Sequence, residues 1–387
     1  MSKGNIMKTY GRFDVIFEKG LGCKLYDING VEYFDLVSGV AVNCLGHSHP
    51  VIVNAIKDQL DKVMHVSNYY FNSKAIELSE KLCAESDHEA VFFCNSGTEA
   101  MEAGIKVGRK YGKIKGGYSK NIIIHMDNSF HGRTIGALSV TGQQKYQKDF
   151  MPLMSGIDSV KINDLDAIKE KMNENVCAVL IEPIQGEGGI NSATFEYLKC
   201  VRDLCDKYDA LLIFDEIQCG MGRLGSLYAY KKFNVIPDVI CMAKGLAGGF
   251  PIGAVLTNSR ASVLVPGDHG STFGGNPLAC AVSIAVFDEL VHGGVIDKID
   301  EKSNYFKEKL NILKEKYSII KEVKGMGFLL GIALNVDVKE FSKKCFEKKL
   351  LAVTAGTDVI RLLPPLNIEY YEIDQAVSIL EEVIKLY

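Results

Sequence analysis

Three short segments of the 387-residue chain carry side chains with evident chemical use. Asn95-Ser96-Gly97-Thr98-Glu99-Ala100 sets two hydroxyls and a glycine where a helix begins. A helix start presents unpaired N–H groups and the positive end of the peptide dipoles. The segment therefore reads as an anion site suited to phosphate, or as a plain helix cap. Asp215-Glu216-Ile217-Gln218 follows the apolar run Leu211–Phe214. A carboxylate at that place can cap a helix, bind a metal or hold a proton on a heteroaromatic nitrogen. Ala243-Lys244-Gly245 puts a lysine among apolar and glycine neighbours. Burial disfavours the ammonium and frees the amine as a nucleophile for Schiff-base chemistry. The plain alternative is a surface lysine on a glycine-rich turn.

Other segments point to less. Gly220-Met221-Gly222-Arg223-Leu224-Gly225 matches G-x-G-x-x-G. A dinucleotide fingerprint opens a helix directly after its strand, whereas Asp215 to Cys219 intervene here, so the string reads as a turn. His47-Ser48-His49 before Pro50 lacks a third ligand, and no metal is expected. His131 is either a base or a packed polar group and receives no role.

These segments need elements to position them. Predicted strands are Val91–Cys94, Ile122–Met126, Cys177–Ile181, Leu211–Phe214, Val239–Met242 and Gly253–Leu256, all short, apolar and without alternation. That pattern suits strands buried on both faces of a sheet. Helical stretches such as Glu99–Tyr111 and Phe195–Tyr208 lie between them, so the fold class is α/β with a mostly parallel sheet flanked by helices. Ligands in such sheets sit beyond the carboxyl ends of strands. Residues 1–50 carry short strands around Lys24–Asp27 and Glu32–Leu36 and form an N-terminal segment of a smaller lobe. Residues 51–290 form the large domain. Residues 291–387 form the small C-terminal domain, with an amphipathic helix from about Val295, a strand Gly325–Leu334 and a last helix Ile373–Leu386.

Composition excludes other classes. Hydrophobic residues at 47% rule out a disordered chain. With 44 Lys+Arg against 48 Asp+Glu, the net charge of −4 gives no footprint for nucleic acid. Apolar runs such as Val176–Ile181 and Ala210–Phe214 are too short to cross a membrane. The segment Met1–Tyr10 lacks a signal-type apolar stretch, so a cytoplasmic protein is expected. None of the eleven cysteines stands in a C-x-x-C pair, which suggests buried free thiols in a reducing compartment. The 37 glycines against 9 prolines suggest backbone that turns sharply or closes on a ligand.

In order along the chain, a phosphate turn, an aromatic-His-Gly-Arg, a strand-end Asp and a Gly-flanked Lys together describe pyridoxal 5'-phosphate. On these segments the chain resembles the fold-type I, class III pyridoxal-phosphate-dependent aminotransferases, and within them the branch acting on acetylornithine. The resemblance runs from about Tyr10 to the C-terminus. It is carried by Ser38–Asn43, Gly46–Pro50, Asn95–Ala100, Phe130–Thr134, Glu182–Gly189, Asp215–Gln218, Ala243–Gly245, Ser271–Pro277 and Arg361–Pro365.

The resemblance implies the following roles. Lys244 is the catalytic residue, holding the cofactor covalently and then shuttling a proton. Asp215 keeps the ring nitrogen protonated, Gln218 bonds the ring hydroxyl and Phe130 stacks on the ring. Ser96, Gly97 and Thr98 bind the phosphate, joined by Thr272 from a second subunit. Glu216 and Ile217 complete the cofactor set. That arrangement implies a homodimer with shared sites. Arg133, Ser271, Glu187 and Arg361 bind substrate, an acylated diamino acid or 2-oxoglutarate/glutamate. Glu187 and Arg361 form either a switch that opens for the diacid or a fixed buried ion pair. Cys219 stands where relatives carry Thr; a small side chain is tolerated there, and whether its thiol sensitises the site to oxidants is open. Small residues near Gly39-Val40 leave room for an acyl group. The implied activity moves the terminal amino group of N2-acetyl-L-ornithine to 2-oxoglutarate in arginine biosynthesis. Ornithine, succinylornithine, succinyl-diaminopimelate, 4-aminobutyrate or putrescine as donor, or a glutamate-semialdehyde aminomutase, are the alternatives.

Overall fold

A computed structural model of the chain describes residues 4–387; Met1–Lys3, the start of the N-terminal segment, lie outside the described residues. At its centre is a seven-stranded sheet. Its strands run across the sheet in the order Ala90–Cys94, Gly253–Thr257, Val239–Met242, Leu211–Asp215, Val176–Ile181, Ile122–Met126 and Ile157–Val160. The last five are mutually parallel. Gly253–Thr257 runs antiparallel to both of its neighbours. In consequence Cys94, Asp215 and Met242 end on one edge, where Gly253, the start of the reversed strand, joins them. Three of these strands are apolar throughout and three more carry a single polar residue, because helices cover both faces, and all six residues of Val176–Ile181 are buried.

All six expected strands form, with ends moved by a residue at most. Ile157–Val160 is an addition. It is paired on one side only, and its Asp158 and Ser159 break the apolar run that would reveal it. The helix after the first sheet strand spans Gly97–Gly116, longer than Glu99–Tyr111. Gly104, Gly108 and Gly112 form a row along its sheet side. A Cβ there would lie 2.9 Å from Cys241 Sγ, 3.0 Å from the Ala178 methyl and 2.2 Å from the Lys120 carbonyl. These three of the 37 glycines thus serve helix-to-sheet contact, apart from any ligand.

The N-terminal strands Phe17–Leu21, Lys24–Asp27 and Glu32–Asp35 form a meander that Leu350–Leu351 extends in parallel, so the two ends of the chain share a sheet. The stretch expected as one strand, Gly325–Leu334, is instead the tip and second arm of a hairpin, Ile320–Met326 and Leu329–Leu334. Gly327 makes the turn at φ +55°, where a Cβ would meet Leu224 backbone at 2.6 Å. Leu329–Leu334 pairs with Val359–Leu362, the strand that carries Arg361. No single helix among the described residues is long and apolar enough to cross a membrane.

Candidate active site

A cavity of about 420 Å³ opens at the sheet edge where Cys94, Asp215 and Met242 end. Ser96, Gly97, Thr98, Phe130, Arg133, Glu187, Asp215, Ile217, Gln218 and Lys244 all face it. The remaining four expected residues, Glu216, Ser271, Thr272 and Arg361, are placed elsewhere.

Ser96 caps the Gly97–Gly116 helix, its Oγ accepting from Glu99 N at 3.3 Å. The hydroxyl of Thr98 lies 2.9 Å from that of Thr134 and accepts from the amides of Arg133 and Thr134, each at 3.3 Å. It thereby fastens the segment after Phe130 to the helix start. Gly132, at φ +136°, permits this approach, because a Cβ would sit 2.3 Å from Thr98 Oγ1.

Asp215 is buried at its strand end. One carboxylate oxygen accepts from Ile217 N at 3.0 Å and the other lies 2.7 Å from His131 Nδ1. Against a carboxylate, Nδ1 carries the proton, and Nε2 is buried without a partner. His131 is therefore a member of the site that sequence reasoning left unassigned. Glu182, quoted in the resemblance but given no role there, is another member. It lines the cavity and accepts from Phe130 N at 3.0 Å and Gly186 N at 3.3 Å. Burial pushes its carboxyl up to about 7, with His131 opposing and Asp215 adding to the shift.

Glu216 corrects the expectation. Its side chain turns away from the cavity and accepts from Ala229 N at 2.5 Å and Tyr230 N at 2.8 Å, while burial pushes its carboxyl up to about 8. Those two backbone bonds, made on the side of the chain away from the cavity, take Glu216 out of the site that Asp215 faces. The effect of Cys219, open from the sequence, follows from its placement. It is buried, its Sγ lies 3.7 Å from Asp215 O, and burial pushes the thiol well above its ordinary pKa, so it is a poor target for oxidants.

Lys244 begins a short turn at φ +45°. Burial lowers the pKa of its amine, and the Arg361 guanidinium lowers it further against the opposing pull of Asp215, Glu187 and Glu182. Arg361→Ala removes a cation, so the lysine pKa is expected to rise; Glu187→Gln removes an anion, so it is expected to fall. Titration of the lysine in each variant checks both signs, and equal shifts in one direction would refute the arrangement.

Arg361 sits behind the cavity wall. Its Nη2 donates to Glu187 at 2.7 Å and its Nη1 to Gln218 Oε1 at 3.0 Å. Gly186 makes room for that contact, since a Cβ would fall 1.8 Å from Gln218 Oε1. The loop backbone is pinned as well. Gly356 N donates to Glu187 O at 2.8 Å, and Lys324 Nζ donates to Gly189 O and Asn191 Oδ1, each at 2.7 Å. Arg133 is exposed and makes no ion pair among the described residues. Its guanidinium lies 3.9 Å from the Tyr146 ring centre and 5.4 Å from that of Phe130.

Thr272 is exposed and lies outside the cavity of its own chain. Ser271 Oγ accepts from Asn95 Nδ2 at 3.0 Å and Gly274 N at 3.1 Å. Near Gly39-Val40, residues Ser38 to Ala41 form a left-handed turn with φ of 49° to 65°, and it is Val42 that reaches the cavity. His47 Nε2 lies 2.7 Å from Asp35 Oδ2 and packs there. The Gly220–Gly225 string is a turn that opens no helix directly; the next one, Tyr230–Phe233, is a single turn. Its Arg223 is buried and donates to Pro364 O at 2.5 Å and Phe328 O at 3.2 Å.

All eleven cysteines are unpaired. Four buried thiols bond the carbonyls of site segments: Cys44 to Gly245 at 3.3 Å, Cys94 to Ser96 at 3.5 Å, Cys241 to Ala100 at 3.5 Å, and Cys219 to Asp215 as above.

A sequence profile of the aminotransferase class-III family matches residues 6–384. The chain is 61% identical to the acetylornithine aminotransferase of Clostridium acetobutylicum over 387 residues, covering 100% of both. Among solved structures, it is similar to the ornithine aminotransferase from Toxoplasma gondii ME49, with TM-score 0.95, 32% identity and coverage of 99% of this chain and 93% of that one. It is also similar to the N-acetylornithine aminotransferase from Stenotrophomonas maltophilia K279a, with TM-score 0.86, 35% identity and coverage of 97% of both chains.

Proposed function

The chain belongs to the class-III aminotransferases, and from that premise we propose that it moves the terminal amino group of N2-acetyl-L-ornithine to 2-oxoglutarate. The products are N-acetyl-L-glutamate 5-semialdehyde and L-glutamate, a step of arginine biosynthesis. The observation that carries the substrate reading is one masked and one open arginine. Arg361 is paired with Glu187, while Arg133 is exposed beside Phe130. A donor with one carboxylate needs only Arg133. A diacid needs both, and Glu187 must then release Arg361.

Enzymes of this family use pyridoxal phosphate, and the residues around the cavity fit it. A helix N-terminus with Ser96, Gly97 and Thr98 would hold the phosphate. Asp215, steadied by His131, would hold a proton on the ring nitrogen. Phe130 and Ile217 would bound the ring, and Gln218 would bond its hydroxyl. When bound, the cofactor supplies an aldehyde that takes up amino groups and a ring that accepts the electron pair left when a neighbouring C–H bond breaks. Lys244 Nζ, its pKa lowered by burial, would take up that proton and carry it across the cavity. Arg133 orients the donor through its carboxylate, and Gln218 and Glu187 hold Arg361 aside until a second carboxylate arrives.

Thr272 would complete the phosphate site of a partner subunit. Support comes from an exposed aromatic face adjoining it, where Tyr69 is 91%, Phe71 94% and Phe273 60% exposed. We therefore read a homodimer with shared sites. The unpaired thiols support a reducing, cytoplasmic setting.

Half-reaction rates with acetylornithine, succinylornithine, ornithine, 4-aminobutyrate and putrescine test the donor. The acetylated donor is expected to react fastest. The likeness to an ornithine aminotransferase favours ornithine as the second reading, and ornithine reacting faster would establish it. Arg133→Ala is expected to lower kcat/KM about tenfold to hundredfold for both substrates, as loss of a charged hydrogen bond does. Arg361→Ala is expected to do so mainly for glutamate. Loss confined to acetylornithine in both variants would refute the two-arginine scheme.

A further inference from the structure

The segment that presents Thr272 is tied to the cavity wall through Asn95, which donates to Ser271 Oγ, and is held from outside the cavity chiefly by one side chain. Asn68 Nδ2 donates to Ser271 O at 2.8 Å and to Gly274 O at 3.1 Å. A single amide thus bridges the carbonyls on either side of Thr272-Phe273 and fixes the turn between them. Asn72 Nδ2 donates to the next carbonyl, Gly275 O, at 3.0 Å. Gly274 is pressed against the sheet, where a Cβ would lie 2.1 Å from Phe93 O. Further back, Lys106 donates to Asp268 O, and Lys110 pairs with the Asp268 carboxylate. Thr272 makes none of these bonds and faces outward.

We infer that Asn68 is a positioning residue that acts across the dimer: it shapes the turn that delivers Thr272 to the partner's phosphate site, and does not itself line its own chain's cavity. The inference rests on the reading that Thr272 works in the partner.

Asn68→Ala and the isosteric Asn68→Asp are both expected to raise the dissociation constant of pyridoxal phosphate for the apo-dimer about tenfold, the effect of losing about one hydrogen bond to the phosphate. Thermal unfolding confirms that each variant is folded. The deciding sample is a hybrid dimer with Lys244→Ala on one chain and Asn68→Ala on the other. Its only site with a lysine is on the Asn68→Ala chain, and that site receives Thr272 from a chain whose Asn68 is intact. Cofactor fixed by borohydride counts that site alone. It is expected to titrate with the wild-type dissociation constant, and the hybrid to turn over at half the wild-type rate per dimer. A hybrid that keeps the tenfold defect, or Asn68 variants that bind as wild type does, would overturn the inference. A parallel hybrid with Thr272→Ala in place of Asn68→Ala tests the underlying reading. If its defect persists, Thr272 works within its own chain and the shared-site reading fails, whatever Asn68 does.

Discussion

Lys244→Ala is expected to lower transamination by about ten-thousandfold, the upper range for loss of a positioned acid–base group. In the proposed mechanism the residue serves twice, because its amine would both anchor the cofactor and move the substrate proton. Neither duty has a substitute in the cavity. Glu182 is committed to the amides of Phe130 and Gly186, Glu187 to Arg361, and Asp215 to His131 and Ile217. The measurement is a single-turnover half-reaction with acetylornithine, with cofactor content followed in parallel. Low activity with full cofactor content isolates the proton transfer. Transamination at the wild-type rate would refute the assignment.

Asp215→Asn is expected to cost about a thousandfold, comparable to removing one preorganised electrostatic group from an active site. The amide keeps the shape but cannot supply the negative charge that, in the proposed mechanism, would hold a proton on the ring nitrogen. It also leaves His131 facing a neutral partner in a buried site, which costs about 1–3 kcal/mol of stability. The two losses separate by experiment. His131→Asn in a wild-type background carries the structural part with the carboxylate retained, so it is expected to slow the half-reaction far less than Asp215→Asn. Equal losses would mean that Asp215 acts only by packing.

Much of this was legible before any coordinates. The strands announced themselves because both faces are buried, which leaves unbroken apolar runs such as Val176–Ile181. The edge strand Ile157–Val160 was hidden because it is paired on one side and admits polar residues. At the site, residues immediately after strands were legible because chain order places them on one edge. Glu216 was misjudged by adjacency, since its side chain is bonded to the amides of Ala229 and Tyr230 and sequence proximity to Asp215 says nothing about facing. His131 and Glu182 were obscure for the opposite reason. Their partners lie 84 and 52 residues away, and no local pattern marks a pairing made by the fold. Glycine content was legible only in part. Gly132 and Gly186 do bring backbone close at the site, but the row along the Gly97–Gly116 helix serves packing against the sheet.

The four thiols bonded to the carbonyls of Gly245, Ser96, Ala100 and Asp215 have one more consequence. A sulfur reagent cannot reach a buried thiol until the segment covering it has swung out, so each alkylation rate is a clock for one local opening. The protein carries such clocks at its lysine turn, its helix start and its strand-end carboxylate, with no label added. Run with and without cofactor, they resolve which wall of the active site breathes and which the ligand silences.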